Sequence, residues 1–187
     1  MHTTSQTLLE RLQQPDQPDA WTRFVNLYTP LLAMWARRQG LQEADAEDLA
    51  QEVLVKLVRV MPSYERGEGQ SFRGWLSQIS KNQCHDFRRR RATRALPGAD
   101  GLSGVNDREL ATDLDEIEYR RLLVDQAQKL IRPDFNETTW AAYTGVAVEG
   151  RSATEVATGL KMSVNAVYTA RHRVLARLRE ELDGFLD

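Results

Sequence analysis

The stretch SVNAVYTARHRVLARLREEL, residues 163–182, decides how the whole chain is read. It carries four arginines between Val164 and Arg179 and no carboxylate until Glu180. At 100° per residue, Val167, Val174, Leu178 and Leu182 fall on one stripe, the side a helix turns toward its core. Asn165, Thr169, His172 and Ala176 point the opposite way, with Tyr168 and Arg173 on the flanks. The outward face near the helix start is therefore polar and hydrogen-bonding, as reading base edges in a major groove requires. Arg171, Arg177 and Arg179 lie nearer the stripe or the flanks, suited to phosphates beside the groove. The alternative is an ordinary solvated helix whose arginine stems cover apolar surface. Solvated faces usually mix signs, so a run of sixteen residues without an acid favours DNA as the partner.

The residues just upstream complete a unit. In EGRSATEVATGLKMSVNAVYTARHR (149–173), Gly150 is placed to end one helix and Ser152 to start the next. Ser152 and Glu155 have capping-box spacing, in which hydroxyl and carboxylate each reach the other residue's amide. The pattern predicts a short helix from Ser152 to Leu160, a tight turn at Lys161-Met162-Ser163, and a second helix capped by Ser163. Val156, Ala157, Leu160, Met162 and Val167 sit where two crossed helices bury their contact, which is the helix-turn-helix pattern. Lys161 occupies a turn position where glycine is commoner.

Composition bounds the rest. A chain of 187 residues with 41% apolar and 28% charged content is globular, with room for one medium or two small domains. A net charge of −2 excludes a uniformly basic coat but not local basic surfaces. Mapped along the chain, residues 1–95 carry net +3, residues 96–118 net −6 and residues 119–187 net +1. The middle stretch opens LPGADGLSGVNDREL, without helical periodicity, and predicts a flexible acidic linker over 96–118. The expected fold class is all-α: two small helical domains, 1–95 and 119–187, each side of that linker. The single cysteine, Cys84, cannot form an internal disulfide, which fits a reducing cytosol. The N-terminus is too polar for a signal peptide, and no apolar run approaches the ~20 residues that span a bilayer. The three histidines, His2, His85 and His172, are scattered, so neither a metal site nor a cofactor is expected.

The N-terminal half reads as three helical regions. WTRFVNLYTPLLAMWARRQG gives an amphipathic pair of segments around Pro30, stopped by Gly40. In DAEDLAQEVLVKLVRVMP, Leu49, Val53, Leu57 and Met61 recur every four residues, and Pro62 ends the helix. Opposite that stripe lie Asp48, Gln51 and Glu52, continued by Val55 and Arg59. DNA would repel such a patch, so it is either a solvated face or a site for a protein. After the loop YERGEGQ comes SFRGWLSQISKNQCHDFRRRR, ending in Arg88, Arg89, Arg90 and Arg91. Four consecutive arginines cover all sides of a helix, so at least two face any partner lying against it; alternatively they are a solvated end favoured by the helix dipole. Tyr64, Phe72 and Trp75, with Lys81 and Asn82, place aromatics beside cationic and amide groups, a combination that stacks on unpaired bases. Phe72 and Trp75 at helical spacing also suit an ordinary core.

Taken together these residues resemble the sigma factors of bacterial RNA polymerase, of the small extracytoplasmic-function (ECF) type. DLAQEVLVKLVRVMPSY looks like the family's polymerase-binding helix, and SFRGWLSQISKNQCHDFRRRR like the segment that opens and reads the −10 element. EGRSATEVATGLKMSVNAVYTARHRVLARLRE is similar to the domain that reads the −35 element. The likeness covers roughly residues 20–92 and 117–182, in the family's order. It implies a non-enzymatic promoter-specificity subunit, with core RNA polymerase and promoter DNA as partners and no membrane. Asp48, Gln51, Glu52, Val55 and Arg59 would dock on the coiled coil of the polymerase's largest subunit, and the C-terminal domain would meet its flap region. Tyr64, Phe72, Trp75, Lys81, Asn82 and Arg88 to Arg91 would hold the opened −10 strand. Ser163, Asn165, Tyr168, Thr169, Arg171, His172, Arg173 and Arg177 would read the −35 duplex. Tyr168, Thr169 and Ala170 replace more basic residues common there. An anti-sigma partner is common in the family, though nothing in the sequence identifies one. Two other classes stay open: a polymerase-independent regulator, which would bind DNA tightly alone, and a DNA-processing enzyme, for which no catalytic cluster is visible.

Overall fold

The computed structural model describes residues 7–65, 71–94 and 116–186. Among the described residues the secondary structure is entirely helical. A short first helix, α1 (Leu8–Leu12), was not legible from periodicity; Thr7 and Glu10 form a reciprocal capping box at its start. Helix α2 (Pro18–Arg38) begins with proline at its first position, where the fixed φ helps and no amide is needed. The sequence predicts a pair of segments around Pro30, but α2 runs through it. Pro30 and Asn26 lie on the exposed side, so the carbonyl freed by the missing amide meets water. The opposite side of the same helix buries Phe24, Leu27, Tyr28, Leu31, Leu32 and Trp35, which outweighs one lost hydrogen bond. Gly40, at φ +84°, turns the chain into α3 (Glu43–Val60). Leu49, Val53, Leu57 and Met61 are all buried as the four-residue period requires, and a single 3-10 turn containing Pro62 closes the helix.

Helix α4 (Phe72–Arg94) carries the aromatic and basic segment, and packs against α3. Its Cys84 is fully enclosed, and burial pushes the thiol pKa up against the opposing influence of Arg88. Residues 95–115, most of the predicted linker, and the glycines of the loop before α4 lie outside the described residues. The last three linker positions, Glu116 to Glu118, are instead the first turn of α5 (Glu116–Ile131), where acids suit the positive end of the helix dipole. Helix α6 (Glu137–Ala147) is capped by Asn136, α7 (Ala153–Leu160) by Ser152, and α8 (Val164–Leu182) by Ser163.

Two clusters hold these helices together. The smaller joins Ala142 of α6, Ala153, Val156 and Ala157 of α7, and Val167 and Ala170 of α8. The larger does not stop at the end of α4, as two separate domain cores would require. It runs from α1–α4 into Tyr119, Leu123, Ala127 and Ile131 of α5 and Val174, Leu178 and Leu182 of α8, ending at Phe185. Phe185 is the reason: its ring packs on Phe24, Tyr28 and Phe72 at centroid distances of 5.9, 5.4 and 5.1 Å. Burying a ring of that size is worth about 2–3 kcal/mol. The Tyr28 and Tyr119 hydroxyls, 2.9 Å apart, satisfy each other inside this contact.

Candidate nucleic-acid interface

The α6–α7–α8 unit is built by local chemistry. The Glu155 amide donates to Ser152 Oγ at 3.2 Å, and the Ser152 amide donates to Glu155 Oε2 at 2.9 Å. The Ser152 amide and, at 2.8 Å, the Ser152 hydroxyl both donate to the Glu155 carboxylate and hold it below its ordinary pKa, although it is fully exposed. Lys161 ends α7 in the left-handed region at φ +53°, a conformation that costs a side-chain-bearing residue about 1–2 kcal/mol. Ser163 then accepts from the Ala166 amide at 3.1 Å and launches α8. Gly145 lets α6 approach α7 closely: a Cβ there would stand 2.8 Å from Val156 Cγ2.

This framework leaves Asn165, Tyr168, Thr169, Arg171, His172 and Arg173 exposed along α8, while Val167, Ala170 and Val174 face inward. Thr169 donates its hydroxyl to the Asn165 carbonyl at 2.9 Å, which fixes its methyl and oxygen relative to that face. Arg177 departs from the rest of the predicted set. It is half-buried, pairing with Asp134 at 3.2 Å and with Glu181 at 2.8 Å. Glu181 is only 2% exposed and also meets Arg23 Nε of α2 at 3.5 Å. Arg177 therefore neutralises a buried acid, a role helical-wheel reasoning did not separate from a phosphate contact.

On α4 the predicted residues fall into three groups. Phe72 is fully buried, in edge-to-face contact with Tyr64 at 5.7 Å, so its ring supports the site from the core and has no face for a base. Tyr64 is buried against Trp75, ring centroids 4.6 Å apart, while Trp75 and Lys81 are half-buried. Asn82 is exposed on the same helix and accepts from Gln78 Nε2 at 3.0 Å. The arginines of the run all have partners within the protein, although Arg89, Arg90 and Arg91 remain exposed. Arg88 donates to the Gln39 carbonyl, Arg89 pairs with Asp86 at 2.9 Å, Arg90 pairs with Glu52 and Arg91 with Asp45. Asp45 was not singled out from the sequence; its signal is its position on the same side of α3 as Glu52, seven residues on.

On α3, Asp48, Gln51, Val55 and Arg59 are exposed and Glu52 is half-buried under Arg90. Val55 and Val58 are 56% and 52% exposed, an apolar addition to a polar face. A basic and partly apolar protein surface would complement such a patch. No group of three or more metal-ligating side chains exists among the described residues. No helix among them is long and apolar enough to cross a membrane.

Comparison with known proteins identifies the family. Residues 24–94 match the family Sigma-70 region 2, a span from α2 to the end of α4. Over 180 residues the chain is 28% identical to RNA polymerase sigma factor NccH of Alcaligenes xylosoxydans xylosoxydans, covering 94% of this chain and 93% of that protein. It is 30% identical over 172 residues to RNA polymerase sigma factor CnrH of Cupriavidus metallidurans, covering 88% and 87%. It is 33% identical over 136 residues to ECF RNA polymerase sigma factor ShbA of Streptomyces griseus, covering 71% and 69%. A solved structure of CnrH in complex with the cytosolic domain of CnrY aligns over 91% of this chain and 92% of that one, at 24% identity and a TM-score of 0.37. The chain belongs to the ECF-type sigma factors of RNA polymerase, non-enzymatic initiation factors that bind core polymerase and promoter DNA.

Proposed function

We propose that this sigma factor divides promoter recognition between two helical surfaces and docks on core polymerase through a third. The exposed, acid-free face of α8 supports the assignment most directly: Asn165, Tyr168, Thr169, His172 and Arg173 read the −35 duplex while Arg171 meets its phosphates. Ser163, at the N-cap, sets the start of that helix against the DNA backbone. The surface formed by Trp75, Lys81 and Asn82 takes a base from the opened −10 strand, and the buried rings of Tyr64 and Phe72 back it. Unstacking a base costs a few kcal/mol, so a pocket for it favours opening. Arg88 to Arg91 hold the strand's phosphates once they exchange their internal partners for DNA. Asp48, Gln51, Glu52, Val55 and Arg59 dock on the coiled coil of the polymerase's largest subunit, the C-terminal unit meets the flap, and the protein acts in the cytoplasm beside the polymerase.

Run-off transcription with core polymerase on a genomic library, with the start sites sequenced, tests the assignment and yields both promoter elements. Start sites without shared sequence at the two expected positions would refute it. An Asn82→Ala chain should bind promoter complexes normally but open them poorly; equal permanganate reactivity of melted thymines would remove Asn82 from the opening step.

A further inference from the structure

Where α2, α4 and α5 face one another they do not close. They leave a partly open hollow of about 350 Å³, which neither the proposed DNA contacts nor the proposed polymerase patch uses. Leu31 and Leu32 of α2 and Leu76 of α4 form its apolar wall. Trp35 of α2 and Ser80 of α4 line the same hollow and are only 5% and 3% exposed. Trp35 Nε1 and Ser80 Oγ have no hydrogen-bond partner in the protein. Buried polar atoms are nearly always paired, so two orphans bordering one hollow point to a group brought in from outside. An indole N–H only donates, so that group must present an acceptor; the serine hydroxyl can donate to it or accept from it.

The opposite end of the hollow carries charge. Arg73 also lies on its wall, with its guanidinium carbon 5.4 Å from the centre of the Tyr119 ring. Arg73, Leu76 and Ser80 share one face of α4. Ser80 lies seven residues beyond Arg73, about 10 Å along a helix that rises ~1.5 Å per residue. Long helical side chains lean toward the N-terminus, which carries the cation further from the serine. The hollow thus offers hydrogen-bonding groups at one end, leucine side chains in the middle and a positive charge at the other. A guanidinium binds a carboxylate through charge-assisted hydrogen bonds, stronger than those a neutral end group makes.

We infer that the hollow among α2, α4 and α5 is a binding site for a short aliphatic carboxylate with a hydroxyl or carbonyl oxygen at its far end. That oxygen accepts from Trp35 Nε1 and bonds with Ser80 Oγ. The methylenes lie on Leu31, Leu32 and Leu76, and the carboxylate meets Arg73. The site stands apart from the promoter reading, because occupying it needs neither DNA nor polymerase.

The test uses three matched compounds on the full chain. 6-Hydroxyhexanoate has the required shape, whereas hexanoate lacks the oxygen at the far end and 1,6-hexanediol lacks the charge. The chain has four tryptophans, and Trp35→Phe shows which indole N–H resonance belongs to Trp35. In the wild type that resonance should move downfield on titration with 6-hydroxyhexanoate, with half-saturation below about 1 mM. Hexanoate and 1,6-hexanediol should each need at least about tenfold more, since each leaves one end of the site unanswered. Ser80→Ala should shrink the preference over hexanoate to about threefold or less, and Arg73→Gln should do the same to the preference over 1,6-hexanediol. Ser80→Ala decides alone if Arg73→Gln, which gives up the contact with Tyr119, fails to fold. A Trp35 resonance unmoved at about 10 mM would overturn the site and leave its polar atoms to water alone. Equal half-saturation by the three compounds, or preferences unchanged in the folded variants, would overturn it as well.

Discussion

The guanidinium of Arg90, near the end of α4, rests on the carboxylate of Glu52 in the middle of α3. Beside it Arg91 meets Asp45 in the same way. One acid of the patch proposed to dock on polymerase, Glu52, is thus neutralised in the free chain by the run proposed to grip DNA. Glu52→Lys should therefore act twice. It should lower core-polymerase affinity by at least tenfold, and it should raise free-chain affinity for single-stranded DNA by releasing Arg90. Every additional phosphate neutralised should steepen the salt dependence by about 0.7 log units per log of salt on a single strand. Because both side chains are substantially exposed, stability should change by less than about 1 kcal/mol. A pull-down with core polymerase and a salt titration of DNA binding measure both effects.

Arg171 and Arg177 look alike in the sequence but should separate on mutation. Arg171→Ala should weaken binding to −35 duplexes of every sequence about equally and flatten the salt slope by about 0.9, with no change in melting. Arg177→Ala removes the nearer of two cations from Glu181, which is 2% exposed, and should cost about 1–3 kcal/mol. Thermal denaturation of the two variants side by side decides between the roles.

Gly145→Ala should damage the C-terminal unit although it touches no proposed DNA contact. Its new methyl would stand 2.8 Å from Val156 Cγ2, forcing α6 and α7 apart at a cost of about 1–3 kcal/mol. Lost protection of the α7 amides in hydrogen exchange, with α2 and α3 unaffected, would be the signature.

Alkali should loosen the contact between the halves. Burial raises the Tyr119 pKa to about 12 and that of Tyr28 well above its ordinary 10. A raised folded-state value means that the stabilisation is complete below pH ~10 and is lost as pH climbs toward the folded value. These two should ionise in step with the loss of contact between α2 and α5. Phenolate absorbance followed together with the radius of gyration checks this; Tyr28→Phe should shift the alkaline midpoint.

Lys161→Gly should stabilise the chain. It removes about 1–2 kcal/mol of left-handed strain and adds roughly 0.5–1 kcal/mol of unfolded-state entropy, a net gain of about 0.5–1 kcal/mol measurable in urea.

Local chemistry was legible in the sequence because it depends on near neighbours. Ser152 with Glu155, Ser163 before α8, the four-residue period of α3 and the stop at Pro62 all appear as read. Pro30 misled because its effect depends on which way the helix faces, and an exposed proline leaves α2 unbroken. The pairings of Arg88, Arg90 and Arg91 leave no local signal because their partners, Gln39, Glu52 and Asp45, lie 38 to 49 residues away. The union of the halves was invisible for the same reason: nothing near Phe185 in the chain announces Phe24, Tyr28 and Phe72.

The enclosure of Cys84 carries a last implication, for signalling. Peroxides and other electrophiles attack thiolates at the surface, whereas this sulfur is sealed in and kept protonated by its surroundings. The folded protein is thus deaf to oxidants through its own thiol, and an oxidative stimulus that acts by thiol chemistry has to be transduced by a different molecule.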